Sequence, residues 1–160
     1  MSYYEEQLKL GEQYQAYVKN WLKPIKKINY YTGMTEQYNI GESVEGIEVK
    51  YDKRSEKTEN LYIEVAEKSN STKRNFIPSG VMREDNTKKY LIGNKHKIWV
   101  FDKEYLKNIC MHRSKIEIDM GTSRGVLLGK YDIEENEHVR IYDLNIDPFW
   151  YEREDIFWNY

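Results

Sequence analysis

Two alternating runs, residues 44–52 and 61–67, most constrain what this chain can fold into. In the first, Ile47, Val49 and Tyr51 fall on one side of an extended chain and Glu48, Lys50 and Asp52 on the other, because successive strand side chains point to opposite faces. In the second, Tyr62, Glu64 and Ala66 share a face, which Lys68 joins if the strand runs on. The connecting KRSEKTEN reads as a charged hairpin connection. Ahead of both runs, Tyr14, Tyr17, Val18 and Trp21 recur at helical spacing, which predicts a helix over 4–22. Pro24 ends it, since proline disfavours helical geometry in the residue before it.

Residues 28–46 show no period and read as irregular connection. Beyond the second run, SNSTKRN is a polar loop, and Pro78-Ser79-Gly80 turns into a short helix near Val81. Strands are predicted over 89–92 and 97–101, joined by a turn at Gly93-Asn94. A helix starts at Asp102 or Lys103 and runs through Cys110, and 114–120 and 125–129 are later strands or turns. This order predicts an α/β fold with one mixed sheet.

Only 39% of the residues are hydrophobic, but 15 Tyr, 4 Trp and 4 Phe supply large buried area per residue, enough for one core in 160 residues. Cys110 is the only cysteine, which excludes an intrachain disulfide framework and a cysteine-rich zinc site. No apolar run approaches the roughly 20 residues that cross a bilayer. The N-terminal MSYYEEQLKL lacks the features of a secretion signal. A soluble, cytoplasmic protein with no membrane partner is therefore expected.

Net charge is -2 but unevenly spread: residues 132–160 hold nine acids against Arg140 and Arg153, a balance of -7 that leaves +5 on the rest. This predicts a basic core domain over 1–131 and an acidic, aromatic extension over 132–160. The extension would fold onto the core, bury in a homodimer, or cover a basic cleft in the manner of nucleic acid. A basic body steers toward phosphates.

Carboxylates at Asp52 and Glu64, on neighbouring strands, can converge on one divalent ion. Their oxygens suit Mg²⁺, or Mn²⁺, which retains waters that a phosphate or a nucleophile can use. A nearby lysine would offset charge building on the phosphate or assist an attacking water.

The run EGIEVKYDKRSEKTENLYIEVAEKS, followed by FIPSGVMREDNTKKYLIG, KIWVFDKEYLKNI and Thr122-Ser123-Arg124-Gly125-Val126-Leu127-Leu128, resembles small phage and prophage members of the PD-(D/E)XK nuclease superfamily. The resemblance covers roughly residues 8–128. It implies a restriction-endonuclease-like mixed β-sheet flanked by helices. It also implies metal ligation by Asp52, Glu64 and the backbone carbonyl of Val65, with Glu12 as an acid that some relatives aim at the metal. The pattern calls for lysine two residues after the paired acid, where this chain has Ala66. Lys50 and Lys68, on the predicted faces of Asp52 and Glu64, are the two candidates to replace it. Glu48-Val49-Lys50 itself reads as E-x-K, but no suitable strand acid precedes it, Glu42 being the nearest. Gln37 and Glu42 read as loop residues.

The expected function is Mg²⁺-dependent hydrolysis of DNA phosphodiesters, RNA being left open. Replacing Asp52 or Glu64 by Ala should abolish cleavage and leave the fold intact. The alternative is a nuclease-like fold that has lost catalysis and binds nucleic acid or protein, for which Ala66 and the acidic tail speak. The expected phosphate contacts are Lys53, Arg54, Lys73, Arg74, Lys88 and Lys89, with Lys57, Lys95 and Lys97 nearby. His96, His112 and His138 lack metal-ligand spacing and read as surface residues, and Cys110 as core.

Overall fold

In the computed structural model, which describes residues 2–70, 72–112, 116–146 and 158, helix α1 spans Tyr3–Leu22. It begins with a capping box: the Ser2 hydroxyl accepts the Glu5 N–H at 3.1 Å, and the Glu5 carboxylate accepts the Ser2 N–H at 3.3 Å. Its buried stripe is Tyr14, Val18 and Leu22. A short helix α2, Met34–Asn39, interrupts the stretch expected to be irregular.

The first alternating run forms β1 (Ile47–Tyr51) and the second forms β2 (Leu61–Glu67). Between them lies not a hairpin but a one-turn helix, α3 (Ser55–Thr58), closed by Glu59 in the left-handed region at φ 56°. There follow β3 (Ile77–Pro78), a 3-10 turn over Gly80–Met82, β4 (Lys89–Gly93), β5 (Lys97–Asp102), helix α4 (Lys103–His112), β6 (Ile116–Asp119), β7 (Ser123–Leu128) and β8 (Val139–Asp143).

The expected single sheet is two sheets. One has the order β1-β4-β5-β8 and is mixed, with β1 parallel to β4 and the other pairs antiparallel; the other, β3-β2-β7-β6, is wholly antiparallel. The strands bearing Asp52 and Glu64 are therefore not neighbours. The α3 turn carries the chain from the first sheet to the second instead of folding it back beside β1.

Alternation then builds three layers. Ile47, Val49, Leu91, Ile98, Val100 and Tyr142 bury one face of the first sheet against Tyr14, Val18 and Leu22 of α1. The opposite face, with Tyr90, Ile92, Trp99 and Phe101, packs on Leu61, Ile63, Val126 and Leu128 of the second sheet and on Leu106 and Ile109 of α4. Each such side chain contributes about 1.5–3 kcal/mol when fully buried, so the two cores dominate the stability of the layers. Glu48 and Lys50 alternate with Ile47 and Val49 and so lie on the side of β1 that faces the second sheet.

Within the expected extension, β8 pairs antiparallel with β5 and completes the first sheet, and Trp158 is buried with its ring 6.5 Å from that of Tyr142. Residues 147–157 and 159–160, and with them the expected homodimer or nucleic-acid-like cover, lie outside the described residues. No helix among the described residues is long and apolar enough to cross a membrane.

Candidate nucleic-acid cleft

Backbone hydrogen bonds fix where the two acids sit. The Asp52 N–H donates to the Gly93 carbonyl at 2.7 Å, which holds the end of β1 against β4. Its carboxylate reaches forward: Oδ1 accepts the Ser55 N–H at 3.2 Å and Oδ2 the Tyr62 N–H at 2.9 Å. Asp52 thus braces the turn into α3 and ties the start of β2 to the end of β1. Ser55 continues the link, donating to the Asp52 carbonyl at 2.6 Å and accepting from Asn94 Nδ2 at 2.8 Å.

Glu64 sits beside a β-bulge, where the β2–β7 register shifts between Glu64 and Ala66. Its Oε2 accepts the Ser79 hydroxyl at 3.0 Å, and the Val65 carbonyl accepts the Ser79 N–H at 3.1 Å. Gly80, at φ +54°, lies so close that a Cβ there would stand 2.2 Å from the Glu64 carbonyl oxygen. The Pro78-Ser79-Gly80 turn is thus moulded on Glu64, and only glycine fits both its backbone angle and the close approach.

Asp52 and Glu64 line one cleft of about 680 Å³ together with Lys50, Lys53, Arg54 and Tyr62. Tyr3 and Gln7 of α1 and Ile118 and Met120 also contribute to its wall. Of the two candidate lysines, Lys50 lines this cleft. Lys68 does not: it is half-buried, with Nζ 4.6 Å over the Phe76 ring and donating to the Lys73 carbonyl at 3.1 Å. Glu12 is exposed on α1 and is not among the residues lining the cleft.

Glu48 is the residue that sequence reasoning set aside. It is only 3% exposed, its Oε1 pairs with Lys50 Nζ at 3.2 Å, and its Oε2 is buried without a hydrogen-bond partner. The signal was present, since alternation puts Glu48, Lys50 and Asp52 on one face and the tripeptide reads E-x-K. Glu42, read as a loop residue, also acts on this pair electrostatically.

Burial raises the Glu48 carboxyl above the usual carboxylate range, with Lys50 opposing and Glu42 and Asp85 adding to it. Desolvation pulls the Lys50 ammonium down, but the charges of Glu48, Glu42 and Glu64 outweigh it, and the net direction is up. Glu64 is also raised, first by burial, with the Ser79 hydroxyl and Lys50 opposing and Glu67 adding. Burial raises the Tyr90 hydroxyl well above its ordinary value, and the nearby Glu48 and Glu64 carboxylates add to it.

The expected phosphate contacts divide. Lys53 and Arg54 are exposed at the cleft, while Lys73 and Arg74 are exposed in the loop before Phe76. Lys88 is exposed beside a separate cleft with Thr87, Asp102 and His138. Lys89 is a correction: it is buried and ion-paired with Asp102, directly opposite it in the β4–β5 register, and offers no surface to a phosphate. Lys97 is drawn off to Glu59 at 2.7 Å.

Among the described residues, no three or more His, Cys, Asp or Glu side chains group to hold a metal ion. Mg²⁺ asks for less, since it keeps several waters and takes one or two protein carboxylates together with substrate phosphate. Each Asp52 oxygen carries one N–H and retains a lone pair, and the hydrogen bond recorded for Glu64 uses Oε2, not Oε1. The donor set therefore fits Mg²⁺ in kind, with the Val65 carbonyl, like each Asp52 oxygen, already accepting one N–H. No family model matches the chain, and no curated protein or solved structure matches it, so the nuclease resemblance rests on the residues quoted above.

Proposed function

We propose that this cleft binds a nucleic-acid strand and hydrolyses its phosphodiester bonds with the help of Mg²⁺ or Mn²⁺. The observation that carries the reading is the meeting of Lys50 and Asp52 from one sheet with Glu64 from the other, in one cleft bordered by Lys53 and Arg54. A divalent ion between Asp52 and Glu64 would supply charge neutralisation on the phosphate and lower the pKa of a bound water.

The chain's own residues account for the rest. Lys53 and Arg54, exposed and without an ion pair among the described residues, attract and position phosphates. Lys50 remains an ammonium and so stabilises negative charge developing on the phosphoryl oxygens; it is not a base. Glu64 is held in the cleft wall by the Ser79 hydroxyl, which donates to its Oε2 at 3.0 Å. The Glu48 carboxylate holds the Lys50 ammonium in place at 3.2 Å.

A second reading has its own support. Both Asp52 oxygens already serve backbone N–H groups, and Ala66 leaves the motif lysine position empty, as expected of a module that binds a strand without cutting it.

The test is cleavage of plasmid and of labelled DNA and RNA strands with Mg²⁺ or Mn²⁺, for the parent, Glu64→Gln and Lys50→Met. The expected result is EDTA-sensitive cleavage that falls about a hundredfold or more in each variant. Cleavage unchanged in Glu64→Gln refutes the site. Strand binding with no cleavage in either metal establishes the second reading.

A further inference from the structure

Phe76 carries two cations on its ring: the Arg124 guanidinium carbon lies 3.9 Å from the ring centroid and Lys68 Nζ lies 4.6 Å from it. One such contact is ordinary on a protein surface. Two are not, because the like charges repel. Lys73 and Arg74, exposed in the same loop, add to the positive charge. Asp119 offsets part of it, with Oδ2 3.7 Å from Arg124 Nε, and Lys68 has no ion pair among the described residues. Such a gathering of cations is relieved by an anion.

Its position relates it to the cleft. Arg124 stands opposite Ala66, and the next residue, Gly125, stands opposite Glu64. Gly125 is bare for a reason: a Cβ there would meet the Tyr62 ring at 2.5 Å, so the glycine lets that ring lie flat on the strand. Tyr62 lines the cleft, and its hydroxyl is 2.8 Å from the hydroxyl of Ser123, the residue before Arg124. Arg124 and Gly125 are successive on β7 and so point to opposite faces, which puts the Phe76 cluster across the end of the sheet from the wall that carries Glu64.

A guanidinium supported on an aromatic ring is a flat, charged surface, and the Arg124 side chain is 55% exposed. Unpaired nucleobases stack on such planes, whereas bases inside a duplex have their faces covered. We propose that Arg124, supported by Phe76, is a base-stacking platform, with Lys68 beside it for the adjoining phosphate, and that a nucleic-acid strand bound here is single-stranded at this point. This deepens the nuclease reading and rests on it.

The test is fluorescence anisotropy in EDTA, so that nothing is cleaved, with a labelled oligothymidylate and a duplex of equal length. The variants are Arg124→Lys, which keeps the charge and loses the plane, and Phe76→Leu, which removes the ring. Both are expected to weaken oligothymidylate binding about fivefold or more, the scale of one lost base stack. Duplex binding is expected to change by less than about twofold, because the charge of Arg124 is retained or untouched. Equal losses on both probes, or no loss on either, overturn the platform and leave the cleft reading standing. A parent that binds neither probe overturns both.

Discussion

Replacing Asp52 tests whether this aspartate, proposed above as a metal ligand, is also a structural residue. Its carboxylate accepts two backbone N–H groups, from Ser55 at 3.2 Å and Tyr62 at 2.9 Å, across the connection between the two sheets. Hydrogen bonds to a charged acceptor contribute about 1.5–3 kcal/mol each. Asp52 is half-buried, so water re-solvates part of what is lost and the lower end applies. Asp52→Ala should therefore cost about 2–3 kcal/mol, and Asp52→Asn, which keeps one acceptor, about half as much. With a urea m-value of about 2 kcal/mol/M, the Ala variant's midpoint falls by about 1–1.5 M with m unchanged. The assay is urea unfolding followed by tryptophan fluorescence, without metal, so that ligation plays no part. A change within about 0.5 kcal/mol, typical of an ordinary surface site, refutes the structural role. The simple expectation that Asp52→Ala abolishes cleavage and leaves the fold untouched is thereby revised: loss of cleavage in that variant becomes interpretable only beside its stability.

Two more perturbations probe the charged interior. Because the folded-state pKa of Glu64 is raised above the ordinary 4.5, its contribution to stability is full below that value and is lost as pH rises through the folded pKa. Glu64→Gln should thus gain stability relative to the parent as pH rises above 4.5, read as a change in the difference of Tm; a pH-independent difference contradicts the assignment. Lys103 and Asp85 form an ion pair at 2.7 Å with both side chains buried, so Lys103→Ala strands a buried carboxylate and should cost about 3–5 kcal/mol in urea unfolding. A cost below about 1 kcal/mol would show that Asp85 finds other partners or water.

Much of this architecture was legible in the chain. The helical spacing before Pro24, the strands around Gly93-Asn94 and the helix through Cys110 each follow from local patterns, and β4, β5 and α4 match them. Alternation also put Glu48, Lys50 and Asp52 on one face of one strand. What misled was the polar stretch after Asp52, where charge and turn-forming residues suit a hairpin and a one-turn helix equally well. Lys89 misled for a similar reason: it follows the polar run Asn86-Thr87-Lys88, and only the cross-strand position of Asp102 shows that its charge is satisfied inside.

The sequence by itself determined which residues form strands and which side chains share a face, because a period of two is a property of the local backbone. Only the tertiary structure decided that β1 pairs in parallel with β4, and β2 antiparallel with β7, some 40 and 60 residues away. Strand partners are chosen by which apolar faces bury one another, and Ile47 and Val49 needed α1 while Leu61 and Ile63 needed the far side of the first sheet. That choice moved the two acids from adjacent strands to two sheets, and brought them into one cleft through the reach of Asp52 to Ser55 and Tyr62.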